Sequence, residues 1–217
     1  MTSSLDASTV DLLGVLAYGE LTAFVRLSTD ASLAPTISDK HALASMAAAE
    51  FEHYRRLRAH LLAGGVDPEQ AMAPFVEPLD AFHDSTQPND WLEGLIKAYV
   101  GDGLATDFYR EVAAFVSDVP TQALILEVLA DTGQASFAVE RVTQAIAAEP
   151  AVGGRLALWG RRLVGEALIQ AQRVAVERDA LTELLVGGSL DLAGIGRLLT
   201  RLTDAHTARM GALGLQA

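Results

Sequence analysis

Apolar residues recur at three- and four-residue spacing along most of the chain, and no segment alternates between apolar and polar residues as an amphipathic strand does. This pattern predicts long helices separated by short breaks at proline and glycine. Between the second and third helices, the stretch from about 68 to 85 contains Pro74 and Pro78, so we expect broken helix and loop there. The predicted helices span about 8–29, 38–63, 89–116 and 120–149, followed by a fifth that ends near 186 and a sixth over about 190–211.

The first four predicted helices form two pairs, one on either side of the 68–85 stretch. Two pairs joined by a long connection are the arrangement of a four-helix bundle with a crossover. The sequence therefore predicts an all-α fold in which a four-helix bundle, over about 8–149, has a long crossover between helices 2 and 3. Two additional C-terminal helices, over about 150–213, complete what we expect to be a single domain of residues 1–217.

The composition removes several kinds of chemistry. The chain has no cysteine, which excludes disulfides, thiolate zinc sites, Cys-ligated iron–sulfur clusters and cysteine nucleophiles. Its N-terminus lacks a basic segment followed by an apolar run, and no uninterrupted apolar stretch reaches the roughly 18 residues that a membrane span needs. We therefore expect a cytoplasmic protein with no membrane partner. The net charge of −12 opposes binding to nucleic acid.

Each of the four predicted bundle helices carries an acidic residue within its apolar stripe: Glu20, Glu50, Asp102 and Asp131. An unpaired ionised carboxylate in an apolar core is costly, so each must be protonated, paired or bound to a cation. Glu20 and Glu50 are 30 residues apart, and Asp102 and Asp131 are 29 residues apart. The two helix pairs thus place their acids at matching depth, which is the geometry of a pseudo-twofold metal site.

His53 follows Glu50 by three positions, which puts an imidazole and a carboxylate side by side on one helix face. Both groups suit iron or manganese. In a second interpretation, His53 is an ordinary core histidine, and Glu20 and Glu50 are hydrogen-bonded in a dry core to an arginine or to tyrosines. The tyrosines on these stripes are Tyr18, Tyr99 and Tyr109.

Asp102 lies between Gly101 and Gly103 in the middle of the predicted third helix. Glycines inside a helix destabilise it by roughly 1 kcal/mol each relative to alanine. We expect them either to allow close approach of a neighbouring helix or a substrate, or to mark a bulge of the kind found at functional sites. On the fourth helix, Asp131 and Gln134 either bind a metal or form a polar network that replaces one.

The order of Glu, Glu-x-x-His, acid and acid-x-x-ligand resembles the ferritin-like di-iron carboxylate bundle. The segments AEFEHYRRLRAH, WLEGLIKAYVGDGLATDFYREVA and AHTARMGALGL resemble an actinobacterial branch described as MiaE-like, or tRNA hydroxylase-like. The resemblance extends from about Leu12 to Leu215.

This resemblance implies ligands for two metal ions, with Asp131 as a carboxylate shared between them. Gln134 stands where the family has a histidine, so a strong nitrogen ligand is missing. We therefore expect the second site to be loosely filled or empty. The implied set is Glu20, Glu50 and His53 for the first ion, and Asp102, Asp131 and Gln134 for the second.

Three functional classes follow. The resemblance implies an oxygen-dependent oxidoreductase or hydroxylase that holds one or two ions of iron or manganese. The alternative is a catalytically inactive ferritin-like protein for binding or assembly, with one metal or none. Iron handling with ferroxidase activity is the third class, which the missing second histidine disfavours. The resemblance alone suggests tRNA as substrate, and the C-terminal helices either cover the bundle or form the interface of a homodimer.

Overall fold

The computed structural model of the chain describes residues 5–130, 134–178 and 192–217, and of residues 134, 175 and 192–195 it describes only the backbone. Within these ranges the chain is helical and contains no strand, which confirms the predicted all-α fold. The helices are α1 (Ala7–Asp30), α2 (Ile37–Ala63), α3 (Pro68–Ser85), α4 (Trp91–Ile96), α5 (Gly103–Ala113), α6 (Val119–Val128), α7 (Gln134–Ala148), α8 (Val152–Glu177) and α9 (Leu192–Ala212).

Helices α1 and α2 form an antiparallel hairpin that packs along its whole length. Asp6 caps α1 by accepting a hydrogen bond from the Thr9 backbone N–H at 2.8 Å. Thr36 caps α2 in the same way, by accepting from the Asp39 backbone N–H at 3.1 Å. Each cap satisfies an N–H group that the first helical turn leaves without a partner. The two caps therefore fix where the helices begin and how their side chains are phased.

The crossover is a continuous helix, α3, and our expectation of broken helix and loop over 68–85 was wrong. Pro74 and Pro78 each remove one backbone hydrogen bond. Phe75, fully buried on the same helix, packs in the core formed with α1 and offsets that loss. The contact is close because Gly14 of α1 has no side chain: a Cβ there would lie 2.2 Å from the Ala71 carbonyl oxygen.

The predicted third helix is divided by a π-helical turn, Lys97–Asp102, between α4 and α5. Such a turn accommodates an extra residue and is common at functional sites. It ends at Asp102, between the two glycines, which confirms the expectation of a bulge there. Close approach also occurs, since a Cβ on Gly103 would lie 2.4 Å from the Arg209 Nε atom of α9.

The predicted fourth helix, about 120–149, is also divided. Helix α6 ends at Val128, and α7 begins at Gln134. Arg110 of α5 donates a hydrogen bond to the Leu129 carbonyl. That bond satisfies one of the carbonyl groups left free where a helix ends, so the chain can leave the helix at this point without an unpaired acceptor.

The C-terminal helices cover the bundle. Helix α8 packs on α3 and on the π-helical turn, and α9 packs on α5. The indole N–H of Trp159 in α8 donates to the Glu93 carbonyl of α4 at 2.9 Å. Of the helices in the described ranges, none combines the length and apolar character needed to cross a membrane.

The buried apolar residues form two clusters that share α1 and α2. One contains Leu57 and Leu61 of α2 with five residues of α1: Leu12, Leu13, Val15, Leu16 and Ala17. The other contains Leu27 of α1 and Leu43 of α2. The middle turns of both helices lie between these clusters, and they carry the polar side chains from which we build the candidate site.

Candidate metal centre

Glu20, Glu50 and His53 come together in the middle of the α1–α2 hairpin. One ligand atom from each side chain lies within 4.8 Å of the other two. The Nδ1 atom of His53 is 3.4 Å from the Oε2 atom of Glu20 and 3.4 Å from the Oε2 atom of Glu50. The three-residue step from Glu50 to His53 places both on one face of α2, and the antiparallel pairing brings Glu20 to face them.

These three side chains are largely removed from solvent, with exposed fractions of 12% for Glu20, 11% for Glu50 and 13% for His53. Oε2 of Glu20 and Nδ1 of His53 are buried and have no hydrogen-bond partner among the residues that the structure describes. A buried polar atom without a partner costs free energy, and most such atoms in proteins are satisfied by a hydrogen bond, water or an ion. A cation bound between the three groups would satisfy both atoms.

The electrostatics of the cluster favour a bound positive charge. Burial raises the pKa of the Glu20 carboxyl well above its usual range, and the adjacent Glu50 adds to this while His53 opposes it. The adjacent carboxylates of Glu20 and then of Glu50 raise the pKa of His53 to about 9. His53 of the metal-free cluster therefore holds a proton at neutral pH, and a metal ion bound to its Nδ1 atom would displace that proton.

Of the tyrosines considered in the second interpretation, Tyr18 bonds a different carboxylate and Tyr109 lies near Glu20. The Tyr18 hydroxyl donates to Asp80 at 2.6 Å, away from the cluster. Tyr109 is close enough to Glu20 for the carboxylate, together with the larger effect of burial, to raise the pKa of its hydroxyl. Tyr109 is therefore a neutral neighbour of the cluster at physiological pH.

Asp102, expected to bind the second ion, does not belong to this three-residue cluster. Its Oδ2 atom accepts a hydrogen bond from Nη2 of Arg26 at 2.7 Å. Burial raises the pKa of the Asp102 carboxyl, and Arg26 partly opposes the rise. Asp131 lies outside the described residues, and Gln134 begins α7 with a side chain that is likewise not described.

Sequence reasoning missed a group of titratable side chains near Asp102, all at least partly buried: Arg26, Asp30, His83 and Lys97. The Lys97 ammonium, 2% exposed as a residue, donates to the Thr86 carbonyl at 2.8 Å. Burial lowers its pKa to about 8. Burial also lowers the pKa of His83 to about 3, which keeps that imidazole neutral. The available signal was Lys97 itself, one of two lysines in the chain, in the apolar run LIKAYV.

A cavity of about 500 Å³ adjoins the cluster. Glu20, Glu50 and His53 contribute to its wall, as do Arg26 and Asp102. Most of the remaining wall is apolar and comes from α1, α3, α5, α8 and α9. Representative apolar residues are Leu16, Leu79, Phe82, Phe108, Leu168 and Leu202. The arrangement is that of a ligand pocket with a few polar groups at one place.

Comparison with known proteins agrees with this architecture. No curated protein sequence matches the chain. A family model described as the ferritin-like domain of actinomycetes matches residues 3–188, which include every helix from α1 to α8. The chain, with its helical bundle and its carboxylate–histidine cluster, therefore belongs to the actinomycete ferritin-like domain family.

Proposed function

We propose that this protein binds a divalent iron or manganese ion through Glu20, Glu50 and His53 and oxidises a small, largely apolar molecule held in the adjoining cavity. The observation that carries the proposal is the meeting of three ligand groups within 4.8 Å at the wall of that cavity. Two of their polar atoms are buried and have no hydrogen-bond partner in the described part of the chain.

The donor set fits these metals. Two carboxylates and one imidazole suit Fe²⁺ and Mn²⁺, and both ions accept further ligands such as water or substrate. Two ionised carboxylates also balance the charge of a divalent cation, so the buried site is neutral overall when it is filled. The metal, once bound, supplies one-electron redox chemistry and a binding position for oxygen.

The surrounding residues hold and shield the reactants. Glu20 and the Glu50–His53 pair are fixed by two packed helices, so the ligand positions need little rearrangement on metal binding. Leu16, Phe82 and Phe108 give the cavity an apolar wall, which favours an apolar substrate. The Tyr109 hydroxyl keeps its proton near Glu20.

Hydroxylation is the oxidation suggested by the resemblance to tRNA hydroxylases. In such a reaction one atom of O₂ enters a C–H bond and the other leaves as water, and an external reductant supplies two electrons with two protons. We infer a small molecule as substrate instead of tRNA because the cavity wall is mainly apolar and the chain carries a net charge of −12.

Oxygen uptake by the iron-loaded protein tests the proposal. The protein is loaded with Fe²⁺ without oxygen, desalted and mixed with aerated buffer containing ascorbate, and an electrode records O₂ consumption. We expect metal-dependent uptake that falls at least about tenfold in Glu50→Gln and in His53→Ala. Glu52→Gln is the matched control, since Glu52 is exposed on the same helix and pairs with Arg55. Retained metal with no oxygen uptake would instead favour the binding or assembly function.

A further inference from the structure

Arg26 occupies a position among carboxylates next to the candidate metal centre. Its side chain is 10% exposed, and its Nη2 atom donates to Oδ2 of Asp102 at 2.7 Å. Burial lowers the pKa of the guanidinium, and the charges of Asp102, Asp30 and Glu50 more than reverse that effect. One of these three carboxylates, Glu50, is a proposed metal ligand. Arg26 therefore interacts electrostatically both with Asp102 and with a proposed ligand of the metal centre.

A guanidinium keeps its positive charge at every physiological pH, so Arg26 is a permanent cation at this position. Lys97 adds a second buried cation, an ammonium group, near the same carboxylates, since Arg26, Asp102 and Asp30 all influence its pKa. A divalent ion placed against Asp102 would meet repulsion from Arg26, which is 2.7 Å from that carboxylate, and from Lys97. It would also have to displace an existing hydrogen bond.

We propose that Arg26 supplies to Asp102 the positive charge that a second metal ion would supply in a two-metal carboxylate bundle, and that it thereby limits this protein to one ion. The inference rests on the proposed metal site at Glu20, Glu50 and His53. Beyond that site, Arg26 sets the number of ions and so determines whether the centre binds one metal ion or two.

An ordinary structural ion pair between Arg26 and Asp102 makes a different prediction. In that case, loss of Arg26 lowers stability and leaves the metal count unchanged. In our account, loss of Arg26 leaves carboxylate charge uncompensated beside the cavity, and a second cation enters to balance it. The number of ions bound therefore separates the two explanations.

The test is the number of Mn²⁺ ions bound per chain, measured by equilibrium dialysis and elemental analysis, with electron paramagnetic resonance to detect coupled ion pairs. We expect one ion in the wild-type protein, two in Arg26→Gln, and one in the double variant Arg26→Gln, Asp102→Asn. Arg26→Lys is the matched control: it retains the charge and should keep one ion. Only Arg26→Gln should show the coupled-pair spectrum.

The outcomes distinguish this inference from the proposed function. No ion in any variant overturns both. One ion in the wild type and one in folded Arg26→Gln overturns the inference alone, as do two ions in the wild type. If Arg26→Gln does not fold, Asp102→Asn decides: it should retain one ion with affinity within about twofold of wild type. Loss of that ion would make Asp102 a ligand and overturn the inference.

Discussion

The Nδ1 atom of His53 on α2 lies 3.4 Å from the Oε2 atom of Glu20 on α1, and both atoms are buried without a hydrogen-bond partner within residues 5–130, 134–178 and 192–217. Two polar atoms at this distance in a dry interior either share a proton or share a cation. The second carboxylate, Glu50, lies equally close to the imidazole, which favours the cation. This relationship underlies the proposed metal site, and it makes the stability of the hairpin depend on what is bound there.

Glu20→Gln separates the stability of the empty site from metal binding. Because burial raises the pKa of Glu20, ionised Glu20 destabilises the folded state at pH 7, above the usual carboxyl value of 4.5. We expect metal-free Glu20→Gln to melt at or above the temperature of the metal-free wild type. Added Mn²⁺ at about 100 times the dissociation constant should stabilise the wild type by about 2.7 kcal/mol. The variant should gain little from the metal.

Thermal unfolding with and without Mn²⁺, followed by circular dichroism, checks this prediction. The Glu52→Gln variant provides the control, because Glu52 is an exposed carboxylate on the same helix as Glu50 and forms a surface ion pair with Arg55. A metal-free Glu20→Gln protein that melts well below the wild type would mean that the carboxylate stabilises the fold in its own right.

Metal affinity should rise with pH. The folded, metal-free protein holds a proton on His53 up to a pKa of about 9, and the metal requires the neutral imidazole. For one displaced proton the affinity increases about tenfold per pH unit, so it should rise between pH 6 and 8.5 and level off near 9. Titration calorimetry in buffers of different ionisation enthalpy measures both the affinity and the protons released. An affinity that is flat over this range would contradict the ligand role of His53.

Lys97 should give the protein a distinct alkaline stability profile. Its folded pKa of about 8 lies below the ordinary 10.5, so the unfolded state binds more protons between these values. The contribution of Lys97 to the free energy of unfolding therefore increases by roughly 2–3 kcal/mol as the pH rises from 8 to 10.5. His53 acts in the opposite direction near pH 9, so the relevant quantity is the difference between wild type and Lys97→Met.

Urea unfolding of both proteins at pH 7.5 and pH 10 gives that difference. We expect the free energy of unfolding of the wild type, relative to Lys97→Met, to be higher at pH 10 than at pH 7.5. An equal difference at the two pH values would show that the Lys97 ammonium is not destabilised by burial.

Close packing of α1 on α3 can be tested at Gly14. A Cβ there would lie 2.2 Å from the Ala71 carbonyl oxygen, a backbone atom that can move only if the helices separate. We expect Gly14→Ala to lower the free energy of unfolding by about 2 kcal/mol or more. A Cβ at Gly19, on the same helix, would have no atom outside that turn within 4 Å, so Gly19→Ala should raise the free energy of unfolding by about 0.5–1 kcal/mol. Similar effects at both positions would contradict the packing described.

Helical periodicity was sufficient to place Glu20, Glu50 and His53 together, because all three lie on two uninterrupted helices joined by a short turn. It failed at α3, where Pro74 and Pro78 indicated a break. The effect of proline on a helix depends on the packing that competes with it, and the burial of Phe75 depends on the tertiary fold.

The partner of Asp102 was also beyond the reach of sequence patterns. Arg26 is 76 residues away in the sequence, and Asp102 is the last residue of a π-helical turn. Periodicity assumes a regular helix, so it gives the acid at position 102 the phase of a metal ligand and does not include the extra residue that a π-helical turn accommodates. The glycines on either side of Asp102 signalled the bulge, and its consequence for pairing required the structure.

Anomalous diffraction from crystals grown with Mn²⁺ tests the central claim most directly, since it locates the ion and its ligands in one measurement. The account predicts a strong peak at bonding distance from carboxylate oxygens of Glu20 and Glu50 and a ring nitrogen of His53, absent from Glu50→Ala, His53→Ala crystals prepared in the same way. Crystals of the wild-type protein with no peak between these three side chains, or with the ion bound by other residues, would contradict it.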